Sequence, residues 1–261
     1  MTQLRSHCIS LVLFLCGLSI VGCTTGPVDP ATASKIKSFT VTRLELPEYS
    51  YVGIDGEAAA KSAGVLVGYA AFGVLGFAAA DAIKAKSEQP HRNAIRDALA
   101  NHGPSFEQTL NQRVEAELKL RGASVTFIAP PPRMPDNSGY DFGNADFSSD
   151  AVLELYPLMV GFSYQNQQAA PIVDIRWRIL VRYPNGQLIE TNRGSVVHRN
   201  TKSVIGQIGE AIPSNSAYLF KGHVTDLKSH GDKPHQVMQE LALRVSGMIV
   251  ERAYPLPVTF K

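Results

Sequence analysis

The sequence predicts a mixed α/β (α+β) fold, a mixed, largely antiparallel sheet packed by two or three helices. Three observations predict it. From Ile172 to Tyr183, Val173, Ile175, Trp177, Ile179, Val181 and Tyr183 alternate with Asp174, Arg176, Arg178 and Arg182, the period of a strand with one buried face. Phe106, Leu110, Val114 and Leu118 recur at every fourth position, the spacing of a helix's apolar stripe. Ala151 to Tyr164 is mostly apolar, as a central strand covered on both faces should be. Strands and helices that follow one another in blocks, without strict alternation, place the chain in the α+β class.

Each element follows from local pattern. Ser38 to Leu46 alternates, with one slip near Arg43, and reads as a strand; Tyr49 to Ile54 reads as a second, after Pro47. Between Lys61 and Asp81 the stretch Ala63 to Ala80 has no charge and carries Gly64, Gly68, Gly73 and Gly76. This Gly/Ala-rich helix or hairpin, inserted near the N-terminus, has three readings: buried core, a membrane-inserted helix at the short edge of a span, or a small-residue face for self-association. After Pro90, His91 to Asn101 is a helix with Ile95, Ala98 and Leu99 on one side, closed by Gly103. Pro104 is expected in the first turn of the next helix, and Gly122 ends that helix. Val125 to Ile128 is a short strand halted by Pro130, Pro131 and Pro132, and Met134 to Asp150 is a polar loop. After Ile172 to Tyr183, Pro184, Asn185 and Gly186 turn the chain into a partner strand, Gln187 to Arg199. Lys202 to Ile212 is expected to be a short helix. Pro234 to Ala253 is a longer one, with Val237, Leu241, Val245 and Met248 as its stripe, Asp232 as N-cap and Pro255 as terminator. One α/β domain over 38–255 and a tail over 256–261 are expected.

The N-terminus carries the most specific signal. Arg5 precedes an apolar run from Ile9 to Val21, too short for a comfortable span, in the layout of a secretory signal. The run closes on Ile20-Val21-Gly22-Cys23, which resembles the bacterial lipobox. That resemblance implies a signal peptide over 1–22, a diacylglycerol thioether on Cys23, cleavage before it, and a lipid anchor and linker over 23–37. A nucleophilic thiolate explains the cysteine, and two or three acyl chains suffice for stable anchoring. Of the three cysteines, Cys8 and Cys16 fall inside the removed segment, so Cys23 alone remains; a disulfide and a thiol catalyst are both excluded. Thr24 stands where an aspartate would resemble an inner-membrane retention signal, which favours the outer membrane, facing the periplasm.

No other stretch carries chemistry of comparable specificity. Removing Arg5 lowers the formal net charge from +2 to +1, and no concentrated basic face suggests nucleic acid. There is no phosphate loop or zinc-protease helix, and Gly161-Phe162-Ser163-Tyr164 lacks the second glycine of a nucleophile elbow; no cofactor is expected. His223, Asp226, His230, Asp232 and His235 offer ligand types without the spacing of a closed site, so no metal is expected. The aspartates Asp136, Asp141, Asp146 and Asp150, with Asn137 and Asn144, match no calcium loop. Arg176, Arg178 and Arg182 share one strand face and suit a phosphate, a lipid headgroup or an acidic partner. Asp174 on that face and Glu190 across the hairpin favour cross-strand ion pairs instead.

The run from Ser105 to Arg182 contains a helix ending in Leu120-Arg121-Gly122, a short strand, a loop and then Asp150-Ala151-Val152-Leu153. It looks loosely like the α/β domain shared by the curli-secretion lipoprotein and the N-terminal domain of the Tol-system periplasmic protein. The likeness covers about half of the mature chain and departs at the Gly/Ala-rich segment; it implies a fold, and a fold does not settle a function. The expected function is that of a non-catalytic, lipid-anchored envelope protein that meets a membrane through Cys23 and binds a protein partner or forms a homo-oligomer. The alternative is a subunit of an export or pore-forming assembly with 63–80 in the membrane. A hydrolase or metal-dependent enzyme has only the histidine-rich stretch behind it.

Overall fold

The computed structural model describes residues 30–53, 88–100, 102–135, 139–143, 147–198 and 210–255. The expectations for the signal peptide, Cys23, the 63–80 segment with its four glycines, residues 202–209 and the tail lie outside the described residues. Among those described, one mixed sheet of eight strands and three longer helices form an α+β architecture. The strands are β1 (Ser38–Thr42), β2 (Ser50–Gly53), β3 (Ser124–Ile128), β4 (Ala151–Gln165), β5 (Gln168–Arg182), β6 (Leu188–His198), β7 (Glu210–Ile212) and β8 (Phe220–Lys221). The helices are α1 (88–99), α2 (Phe106–Leu120) and α3 (Lys233–Ala253). The sheet order is β3-β1-β4-β5-β6-β7, with β2 also on β4 and β8 also on β5. The two long pairings, β4–β5 and β5–β6, are antiparallel, while β1–β3, β1–β4, β2–β4 and β6–β7 are parallel. No helix among the described residues is long and apolar enough to cross a membrane, which leaves strands aside.

The alternation in β5 sets the layers. Val173, Ile175, Trp177 and Ile179 enter one large apolar cluster with Phe39 and Val41 of β1, Leu153, Leu155 and Phe162 of β4, and the buried stripes of all three helices. The opposite sheet face carries a smaller cluster of Tyr140, Phe142, Val152, Tyr156 and Leu180. Tyr140 and Phe142 come from the stretch read as a polar loop. Its aromatic residues fold back over the sheet, a tertiary contact that its polar composition conceals.

Several boundaries move for local reasons. β1 stops at Thr42: after a last bond from Arg43 N–H to Ile128 O, the backbone of Leu44 exchanges two hydrogen bonds with the Asn111 side chain in place of a strand. The α1 helix is already formed at 88, so Pro90 lies within it. Pro104 is not in the first turn of α2. Ser105 is the N-cap, in a reciprocal capping box with Gln108, a Ser-x-x-Gln signature present in the sequence. At the other end Gly122, at φ +83°, donates to Lys119 O and Ala123 donates to Leu118 O, the paired bonds of a Schellman stop. β5 begins at Gln168, four residues earlier than its alternation suggests, after a two-residue turn with φ +52° at Asn166 and +59° at Gln167. Two positive φ values are normally assigned to glycine or asparagine, and Gln167 hides the hairpin. Glu210–Ile212, expected at the end of a helix, is the edge strand β7, parallel to β6.

Candidate functional site

The arginine stripe divides on folding. Arg178 is nearly buried: its Nε donates to Glu154 at 2.6 Å and its Nη2 to Tyr140 O at 2.7 Å, with Glu190 3.7 Å away. The other oxygen of Glu154 accepts from Tyr140 N–H. Burial lifts the Glu154 carboxyl above its ordinary value, and the Arg178 hydrogen bond pulls it back. Gly139 passes so close that a Cβ there would overlap the Glu154 carboxylate and the Arg178 guanidinium. Arg182 donates to Ser149 O and Gly186 O, closing the β5–β6 turn onto the loop. These bonds tie both residues into the fold. Arg176, exposed and in register with Tyr156, is the member of the stripe that faces solvent.

The histidine-rich stretch separates as well. His223 N–H donates to Asp226 at the start of a 3-10 turn, and His230 Nε2 contacts Lys221 O. Asp232 does occupy the N-cap of α3, yet its carboxylate makes no capping bond and meets His102 Nδ1 at 2.8 Å instead. His235 lies buried, with its ring centre 6.0 Å from that of His102. Desolvation and then the His102 charge lower its proton affinity. Among the described residues no group of three or more His, Cys, Asp or Glu side chains is disposed to hold a metal ion. Of the loop aspartates, Asp150 accepts from the backbone of Lys37 and Ser38 at the start of β1, and Asp141 caps Gly143; Asp136 and Asp146 lie outside the described residues.

The concave surface lies where the strand along β4 breaks. β1 pairs with Ala151–Leu153 and β2 with Gly161–Tyr164, and the seven residues between them leave the edge of β4 opposite its bulge at Pro157 and Met159. Pro157 brings no backbone N–H to this stretch, which disfavours continuous pairing. Two open clefts of about 280 Å³ and 300 Å³ result, sharing Leu46, Pro47, Glu48 and Arg92. Arg92 bridges Glu48 on the broken edge to Glu88 on its own helix, and the two carboxylates raise its proton affinity against the desolvation that opposes it. At the base of the smaller cleft, burial and then Glu107 push the Tyr49 hydroxyl up, so it stays protonated. The larger cleft adds Arg133, Leu158, Met159 and Val160, with Leu158 39% exposed. The Arg133 guanidinium lies 4.7 Å from the Tyr156 ring centre and forms no ion pair among the described residues. Arg133 and Arg176 therefore both adjoin Tyr156. This is a surface for an acidic group flanked by apolar ones.

Arg133 and Arg92 were not legible as site residues. The available signal was Pro157 inside an apolar strand, which marks an irregular edge, and the distance from 92 to 133 to 157 along the chain hides the rest. No protein-family model, curated protein or solved structure matches the chain.

Proposed function

We propose that this chain is a non-catalytic, lipid-anchored envelope protein, held at the outer membrane facing the periplasm, that docks a protein partner. The observation that carries the reading is Ile20-Val21-Gly22-Cys23 at the end of a charged-then-apolar leader, with Cys23 the one cysteine after that point. The cleft supports the docking half. It is open and amphipathic, and it sets the Arg133 guanidinium beside exposed Leu158, with exposed Arg176 across Tyr156 from Arg133, an arrangement suited to an acidic segment of another protein.

The test has two parts. Cells fed a labelled fatty acid are expected to label the wild type and not Cys23→Ala, which should also leave the membrane fraction; label retained on Cys23→Ala sinks the anchoring. A photo-crosslinker at Leu158 is expected to give one discrete adduct that disappears in the Arg133→Glu, Arg176→Glu double variant, while an adduct indifferent to both charges rules out this docking surface.

The uncharged run from Ala63 to Ala80 favours a second reading, an export or pore-forming subunit with that segment in the membrane. Without Cys23, a chain that resists alkaline carbonate extraction supports this second reading. A chain that becomes soluble removes it.

A further inference from the structure

His198 is the last residue of β6 and lies opposite Ile212, the last residue of β7, and Val173 of β5. It is fully buried. Its Nδ1 is 3.2 Å from Ile212 O. A carbonyl only accepts, so Nδ1 carries the proton and the neutral ring presents a bare lone pair at Nε2. Nε2 is enclosed and has no hydrogen-bond partner among the described residues. Among the described residues, the groups that face the ring or act on it come from four elements. Ile212 belongs to β7, and Tyr218, 5.6 Å between ring centres and edge-on, to the 3-10 turn Ser216–Tyr218. Val173 belongs to β5. From α3 come Arg244, whose charge acts against a proton on the ring, and Glu240, which holds Arg244 at 2.6 Å and acts on the Tyr218 hydroxyl. Among the described residues, the other charged groups nearby are Glu210 of β7, paired with Arg252 of α3, and Asp174, on the opposite face of β5 beside Val197.

We propose that His198 is an acid-sensitive latch: neutral, it holds β7 and the Ser216–Tyr218 turn on the end of the sheet, and protonated, it releases them and uncovers the edge of β6. Among the described residues a second proton at Nε2 would be a donor with no acceptor, on a buried cation that the Arg244 charge opposes, and a buried charge of that kind is expelled or hydrated. Desolvation, foremost, and then Arg244 keep the ring neutral, and the Ile212 carbonyl opposes them only in part. The open form, hydrated, takes up its proton near the ordinary histidine value of about 6.5. Opening therefore binds a proton. It becomes easier as the pH falls below that value, by up to about tenfold per pH unit, until the depressed value of the closed form is reached. Above it the latch is fully closed. Release frees the backbone groups that Val196, Val197 and His198 now share with Glu210–Ile212, and an uncovered strand edge is a template for another strand. The latch is independent of the anchoring and docking reading and stands if that reading falls.

The test is hydrogen–deuterium exchange of the purified full chain at pH 7.5 and pH 5.0, corrected for intrinsic rates. In the wild type, peptides covering 210–221 are expected to open at least about tenfold more at pH 5.0, while α2 and β4 keep their protection. His198→Asn places an amide donor toward Ile212 O and cannot protonate, so its opening ratio between the two pH values should be close to one even if it is less stable at both. A wild-type ratio near one, or the same acid response in His198→Asn, overturns the latch. Should His198→Asn fail to fold, the wild-type His198 ring can be titrated by NMR. A ring that stays neutral until 210–221 opens supports the latch, and one that protonates near 6.5 with protection intact overturns it.

Discussion

The two faces of the sheet are covered in different ways. One lies under three helices and is almost wholly apolar: Phe39, Leu110, Phe162, Ile175 and Leu241 meet there with no charged group among them. The other lies under a loop, and its smaller aromatic cluster sits beside a buried ion pair, Glu154 with Arg178, tied to both backbone groups of Tyr140. The helix-covered face stabilises by area removed from water, which is non-directional and tolerant of detail. The loop-covered face depends on a few directed bonds. Among its described residues the loop has one short bridge of its own, Arg133 with Tyr140, and the charge pair with Gly139 ties that bridge to the sheet.

The comparison breaks most readily at Arg178. Arg178→Ala leaves Glu154 buried without its partner and is expected to cost about 3–5 kcal/mol in urea denaturation, whereas the Glu154→Leu, Arg178→Met double variant should recover most of that loss. If the double variant is no better than the single, the pair is not the device that holds the loop. Slightly smaller is Leu110→Ala, a truncation of a fully buried side chain of α2 under the other face. It should cost about 2–5 kcal/mol through transfer and cavity, with no second substitution by charge or hydrogen bonding able to rescue it. Smallest is Asp150→Ala at the start of β1. Asp150 accepts from Lys37 N–H, Ser38 N–H and the Ser38 hydroxyl, and the Lys37 bond, foremost, holds its carboxyl below the usual aspartate range. The loss should be about 1–2 kcal/mol at neutral pH. Because the folded-state value is depressed, the Asp150 contribution is complete above about pH 4, the ordinary aspartate range, and vanishes as the pH falls through the folded value. Stability curves of wild type and Asp150→Ala should converge in acid, and a constant gap across the range would mean that the charge plays no part.

The legible parts of the fold share a cause. β5 and the stripes of α2 and α3 alternate or recur at fixed intervals because each has a single buried face, and Gly122 and Gly186 announce their stops by positive φ. The parts that escaped each depend on a distant partner. The strand over Ser38–Thr42 ends early because Asn111 takes the backbone of Leu44, and β7 is a strand only because β6 lies beside it. The stretch from Met134 to Asp150 reads as polar until Tyr140 and Phe142 are seen against Tyr156 and Leu180.

The same division governs the site residues. By itself the sequence determined the α+β class, the buried and outward sides of β5, and the lipobox-like Ile20-Val21-Gly22-Cys23, because each is a pattern of neighbours within a few residues. Only the tertiary structure decided that Arg178 is structural while Arg176 is exposed, that Asp232 meets His102, and that Arg133 stands over Tyr156. Those outcomes turn on which side chains arrive from more than twenty residues away to desolvate, pair or screen a charge. No local period encodes that arrival.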